Sequence, residues 1–63
     1  MKNGLLLKRL RKIAKEKGTT LELIRHGANH DLYNLGGVRL VVPRHPEVNE
    51  ITANGIIKEA EQA

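Results

Sequence analysis

The chain contains no cysteine, phenylalanine or tryptophan among its 63 residues, and this combination limits what it can fold into. Disulfides and thiolate metal sites are excluded as sources of stability. A domain of this length buries only about 60% of the surface that its unfolded chain exposes, so its margin of stability is small. The sequence therefore predicts a single domain over residues 1–63, with a core of Leu, Ile, Val and Ala and one aromatic residue, Tyr33.

The charge of the chain is basic and unevenly distributed. Eleven Lys and Arg residues against seven Asp and Glu residues give a formal net charge of +4. Seven of the eleven cations lie between Lys2 and Lys17, whereas the segment from Glu47 onward holds one Lys and four Glu. Such a surface attracts polyanions such as nucleic acid, although a merely soluble basic protein is the alternative. The longest apolar run, Gly4 to Leu7, is too short to span a membrane, and the predicted location is cytoplasmic.

Two segments have the periodicity of amphipathic helices. Residues 3–17 carry an apolar stripe, with Asn3 as the predicted N-cap and Gly18 as the predicted stop. Residues 52–61 form the second segment, with Thr52 as its predicted cap. The side of the first helix opposite its apolar stripe is a basic face that consists of Lys8, Arg11, Lys12 and Lys15. The spacing of these cations is equally consistent with a face that contacts phosphates and with a face that is simply exposed to solvent.

Between these helices, three segments have the composition of strands: residues 19–25, 29–34 and 38–42. Gly27-Ala28-Asn29 predicts a turn between the first two strands, and Gly36-Gly37 supplies the positive φ angles of a tight hairpin between the last two. Pro43 and Pro46 end the last strand, because proline cannot donate a hydrogen bond to a sheet ladder. The predicted fold is α+β, of the order α-β-β-β-α, with a three-stranded antiparallel sheet and both helices on one face.

Three histidines provide groups that can move protons near neutral pH. His30 opens the second strand beside a turn, where side chains reach bound ligands. His26 is either a second proton carrier or a polar residue of the turn with no catalytic role, and the second interpretation is favoured. His45 lies in a loop stiffened by prolines, in which Arg44 can hold a phosphate bidentately. Metal-free RNA cleavage needs these residue types: a base for the 2′-hydroxyl, an acid for the leaving oxygen and cations for the phosphorane.

Other kinds of site find little support in the sequence. The histidines lack the spacing and the carboxylate neighbours of a zinc site, and there is no P-loop, no cysteine and no serine. No metal or cofactor is therefore predicted. Tyr33 is suited either to stacking on a base or to a place in the core, and the core is favoured.

Two segments of the chain resemble a known family. Gly27-Ala28-Asn29-His30-Asp31-Leu32-Tyr33 is similar to the Gly-Ser-His-His-x-Phe/Tyr segment of the HicA toxins of HicA–HicB type II toxin–antitoxin systems. Val41-Val42-Pro43-Arg44-His45-Pro46 closely matches the Val-Pro-Arg-His-Pro run of that family, and Asn49-Glu50-Ile51-Thr52-Ala53 then leads into a last helix, as in many members. The resemblance implies a fold like the double-stranded-RNA-binding domain. It also implies a ribosome-independent mRNA interferase, an endonuclease that is neutralised by a HicB-like antitoxin.

The resemblance also implies roles for individual residues. Asn29-His30 stands in place of the family's paired histidines, and counting back from Tyr33 puts His30 at the position of the catalytic histidine. The partner acid or base is left open among water, His26, His45 and a lysine. The predicted RNA-binding residues are Lys8, Arg11, Lys12, Lys15, Arg25, Arg44 and His45. The alternative is a module of the same fold that binds RNA without cleaving it, or a toxin homologue that has lost activity.

Overall fold

A computed structural model describes residues 1–63 as two helices and three strands. Their order is α1 (Asn3–Glu16), β1 (Leu21–His26), β2 (His30–Leu35), β3 (Val38–Pro43) and α2 (Glu50–Glu61). The strands form one antiparallel sheet in the order β1-β2-β3, with the helices packed on one face and the other face open. The predicted α-β-β-β-α fold is confirmed. Neither helix combines the length and the apolar character that a membrane crossing requires.

The core lies between the helices and the covered face of the sheet, and it is almost entirely aliphatic. Alternate residues of β2 and β3 point inward, as the two-residue period of a strand requires. On the helices, the buried positions recur every three or four residues. The buried apolar residues are Leu6, Leu10, Ala14, Tyr33, Leu35, Leu40, Val42, Val48, Ala53, Ile56 and Ala60. Tyr33 is only 8% exposed, which favours its core role over base stacking.

Both predicted helix caps are wrong. Helix α1 begins at Asn3 itself, and its N-cap, Lys2, makes no side-chain capping bond. The Asn3 side-chain amide instead donates to the Pro43 carbonyl at 2.7 Å, because packing brings the end of β3 to the start of α1. Helix α2 begins earlier than Thr52, since the Asn49 side chain accepts a bond from the Ile51 N–H at 2.8 Å. Asn49 has the side-chain oxygen that an N-cap needs, and it lies just before the first helical residue.

The two turns of the sheet and one irregularity decide which residues share a face. Gly36 and Gly37 have φ values of 56° and 91°, which confirms the tight hairpin between β2 and β3. In the turn between β1 and β2, the Gly27 N–H donates to the His30 carbonyl at 2.7 Å. The register of β1 against β2 shifts between Leu23 and Arg25, where β1 carries an extra residue. This bulge sets the side on which the last residues of β1 project.

The first residues of the chain are bound to the segment that precedes α2. The α-ammonium of Met1 lies 2.7 Å from a Glu47 carboxylate oxygen and 2.9 Å from a Glu50 carboxylate oxygen. It also donates to the Val48 carbonyl at 2.8 Å, and the Val48 N–H donates to the Met1 carbonyl at 2.7 Å. Hydrogen bonds to Glu47 and then Glu50 raise the pKa of the α-ammonium above its ordinary value of 8.0. The same ammonium lowers the pKa of Glu47 below 4.5.

We expect these ion pairs to make folding stability depend on pH in both directions. The ammonium has a raised pKa, so its contribution is complete below pH 8.0 and is lost as the pH rises through its folded-state value. Glu47 has a lowered pKa, so its contribution is complete above pH 4.5 and is lost as the pH falls through its folded-state value. Melting temperatures should therefore be highest between these limits and fall on either side.

Paired variants separate this effect from the general titration of the protein. Replacing both Glu47 and Glu50 by Gln should flatten the alkaline fall in melting temperature. Glu59→Gln, at an exposed position of α2 that forms no ion pair, should leave it unchanged. An equal alkaline fall in the double variant and the native chain would show that the ion pairs with Glu47 and Glu50 contribute nothing to it.

Candidate functional site

All three histidines lie at one end of the sheet. Strand β1 ends at His26, β2 begins at His30 after a three-residue turn, and β3 ends just before Arg44 and His45. Two main-chain bonds join these segments: Gly27 N–H to the His30 carbonyl at 2.7 Å, and Arg44 N–H to the Asn29 carbonyl at 2.9 Å. We call this region, residues 26–30 and 43–45, the turn end. An antiparallel meander brings the end of β1, the start of β2 and the end of β3 together, so the convergence follows from the topology.

A pocket on the open face of the turn end contains His30. Directly paired residues of antiparallel strands project to the same face, which places His30 with Pro43, and Arg25 with Leu32 and Val41. The pocket has a volume of about 280 Å³, and its lining residues are Arg25, Gly27, Ala28, Asn29, His30, Asp31, Leu32 and Val41. The His30 side chain is exposed and forms no hydrogen bond or ion pair. Both of its ring nitrogens are therefore free to meet a ligand in the pocket that Arg25 also lines.

A second group of polar side chains occupies the helix side of the same end. Asp31 pairs with His26 across β1 and β2, and it points toward the core, where its side chain is only 11% exposed. The His26 Nδ1 atom lies 2.9 Å from an Asp31 carboxylate oxygen. The Arg44 guanidinium lies 3.5 Å from the same oxygen and 3.4 Å from the Ala28 carbonyl. We call His26, Asp31 and Arg44 the buried-aspartate cluster.

The buried-aspartate cluster determines the tautomer of His26. Arg44 lies 3.4 Å from Nδ1 of His26, but a guanidinium and a ring N–H are both donors and cannot bond to each other. The shorter contact, to the Asp31 carboxylate, requires that Nδ1 carries a hydrogen and donates it. The other ring nitrogen, Nε2, is then left free on a side chain that is 63% exposed. The arrangement orients an imidazole through a carboxylate and leaves its second nitrogen, Nε2, without a hydrogen-bond partner.

The predicted RNA-binding residues are spread over several parts of the surface. Arg25 lies with His30 in the open-face pocket, Arg44 belongs to the buried-aspartate cluster, and His45 is exposed in the loop after β3. The basic face of α1 is exposed as predicted, but it lies in the helix layer rather than at the open face. It is also divided: Lys12 lines a groove toward α2, whereas Arg11 and Lys15 lie beside the start of β1. One short strand of RNA therefore cannot contact all of these residues along the open face alone.

Sequence reasoning missed Asp31, and with it the contact between His26 and a carboxylate. A signal was present, because the alternation of β2 puts Asp31 on the same face as Tyr33 and Leu35. An acidic residue on a buried face needs a partner, since an unpaired buried charge is costly. The partner itself could not be identified, because the bulge in β1 decides whether Arg25 or His26 stands opposite Asp31.

Comparisons with models of known protein families, with curated proteins and with solved structures find no match to this chain. The structure contains no group of three or more His, Asp or Glu side chains placed to hold a metal ion.

Proposed function

We propose that the protein is an endoribonuclease in which histidine side chains move the protons, and that it acts as the toxin of a HicA–HicB type II toxin–antitoxin system. The observation that carries this proposal is the position of His30, an unpaired imidazole in a pocket that Arg25 also lines. The motifs around it, Gly27 to Tyr33 and Val41 to Pro46, resemble those of HicA toxins. Its substrate is mRNA and its location is the cytoplasm.

The pocket provides what histidine-based RNA cleavage needs at one phosphate. The His30 imidazole exchanges a proton with a ribose or leaving oxygen, a step that contributes about 10²–10⁴-fold to rate in enzymes. Arg25 supplies a fixed positive charge for the phosphorane. Leu32 and Val41 form an apolar floor on which a ribose or base can rest, and Val41 is 57% exposed. The pocket is open to solvent on one side, so a flexible single strand can enter it.

The partner in this proposal is a HicB-like antitoxin with an acidic surface. The chain carries a net charge of +4, with Arg25 and Arg44 at the turn end and further exposed cations on the outer side of α1. An acidic protein that covers His30 would block the pocket. It would also stabilise a small domain by binding only the folded state. We expect expression of the chain to arrest growth and co-expression of a neighbouring open reading frame to restore it; growth arrest without such rescue would contradict the pair.

Cleavage of a single-stranded transcript by the purified protein tests the proposed enzyme. We expect His30→Ala and His30→Gln to lower the cleavage rate about 100-fold or more at saturating RNA, because neither side chain transfers protons near neutral pH. His45→Ala should instead raise KM with little change in kcat. Asn54→Ala, at an exposed position of α2, serves as a folded control with native activity. Native-rate cleavage by both His30 variants would refute the catalytic role of His30.

A module that binds RNA without cleaving it, or a toxin homologue that has lost activity, is the second candidate function. The observation that favours it is the absence of any side chain that orients the His30 ring. In this case no product should form with any transcript. RNA affinity should fall steeply with salt, by roughly one unit of logarithmic slope for each phosphate contact. His30→Ala should then leave the affinity unchanged.

A further inference from the structure

The buried-aspartate cluster is the one arrangement at the turn end that positions a proton-transfer group. His26 donates from Nδ1 to Asp31 at 2.9 Å, and Asp31 is held in place because it is buried. A carboxylate that accepts from Nδ1 of a histidine fixes the ring orientation, leaves a lone pair on Nε2 and stabilises the imidazolium that forms there. This is the orienting contact that His30 lacks.

We infer that His26 is the general base of RNA cleavage, positioned by Asp31, and that His30 is the general acid. This inference rests on the proposed function and names the second proton-transfer group of the same site. His26 and His30 flank the turn of residues 27–29 and project from opposite faces of the same end of the sheet. In-line displacement places the attacking and leaving oxygens on opposite sides of the phosphorus. An RNA backbone that crosses the turn end has one histidine on each side.

Nε2 of His26 accepts the proton of the ribose 2′-hydroxyl, and the 2′-oxygen forms a bond to phosphorus. The bond between phosphorus and the 5′-oxygen breaks, and protonated His30 gives its proton to that oxygen. The products are a 2′,3′-cyclic phosphate and a 5′-hydroxyl, and exchange with water restores both rings.

Besides contacting Asp31, Arg44 can donate hydrogen bonds to the phosphate. Its guanidinium has five N–H donors, and its contacts to Asp31 and Ala28 are long, at 3.5 and 3.4 Å. Donors therefore remain for a phosphate oxygen beside the His26 ring. Arg25 contacts the phosphate from the open face and Arg44 from the helix side, so the developing charge meets a guanidinium on both sides.

A substrate with a sulfur leaving atom tests the two roles separately. An RNA oligonucleotide with one cleavable ribose, at a position mapped with the native protein, is prepared with either oxygen or sulfur as the bridging 5′ atom. A thiolate leaves without a proton, so the sulfur substrate bypasses the general acid but not the general base. We expect His26→Gln to cleave both substrates about 100-fold more slowly than the native protein. His30→Ala should be slow on the oxygen substrate and near the native rate on the sulfur substrate.

The possible outcomes distinguish failure of this inference from failure of the proposed function. Native-rate cleavage by His26→Gln, or its rescue by sulfur, overturns the assignment of His26 as base while leaving an endoribonuclease. No cleavage by the native protein overturns both. His26 is exposed, so its variant should fold, which melting temperatures will check.

Ring ¹⁵N chemical shifts of the native protein provide a measurement that needs no variant. They should show the hydrogen of neutral His26 on Nδ1, and a hydrogen on Nε2 would contradict the inference. Asp31→Asn should slow cleavage of both substrates, as expected for a positioning residue of the base.

Discussion

Replacing Leu10 by alanine is expected to leave much of the protein unfolded at 37 °C. Leu10 is fully buried at the centre of α1, between residues of the same helix that also face the core. Removing a buried Leu side chain costs about 2–5 kcal/mol, because transfer free energy is lost and a cavity remains. A domain of this length has a total stability of roughly 3–9 kcal/mol. The cost is therefore comparable to the whole free energy of unfolding.

Leu5→Ala is the matched control, because the same side chain is truncated in the same helix. Leu5 is 46% exposed, so little apolar surface returns to water and no cavity forms. Urea denaturation of both variants should show a large fall in midpoint for Leu10→Ala and little change for Leu5→Ala. Equal midpoints in the two variants would mean that the core does not lie between α1 and the sheet as described.

Replacing Gly27 by alanine is expected to disrupt the turn end. A Cβ atom at residue 27 would lie 2.5 Å from the His30 carbonyl oxygen, the same oxygen that accepts the Gly27 N–H. The His30 carbonyl is main chain at the start of β2, so relief of the clash must move the backbone of His30 or of the turn. The cost should be about 1–3 kcal/mol, the range seen for overpacked positions. In a domain of this size that corresponds to a fall in melting temperature of roughly 5–20 °C.

Gly55→Ala tests the same substitution where the structure leaves space. Gly55 lies within α2, and a Cβ atom there would meet nothing within 4 Å. Alanine is favoured over glycine in a helix by about 1 kcal/mol, so the melting temperature should rise. Opposite signs for the two variants would support the turn geometry. A rise in both would show that the turn of residues 27–29 is not as tight as described.

Most of the fold could be predicted because short-range patterns and tertiary packing require the same structure. The apolar stripe of α1 matches the residues that are buried, and Gly36-Gly37 adopts the positive φ angles that a two-residue hairpin demands. The helix starts could not be predicted as well. Asn3 has the chemistry of a cap, but its amide binds the Pro43 carbonyl, which lies 40 residues away in the sequence.

The candidate site likewise contains some features that the sequence indicated and others that it did not. The resemblance, counted back from Tyr33, pointed to His30, and the pairing of the strands puts Arg25 on the same face of the sheet. Nothing local indicated that Asp31 would bind both His26 and Arg44, because these residues come from three separate segments. The sequence also did not determine which face of the sheet carries His30, because a bulge near the turn would move the side chain to the other face.

By itself, the sequence determined the order of the elements, the aliphatic core and the placement of His26 and His30 on either side of one turn. These depend on periodicity and turn chemistry, which act over a few residues. Only the tertiary structure decided that His26 is oriented by a buried carboxylate while His30 stands unpaired on the opposite face. The register shift between Leu23 and Arg25 sets that arrangement, and register is fixed by strand pairing across the whole sheet rather than by neighbours in the chain.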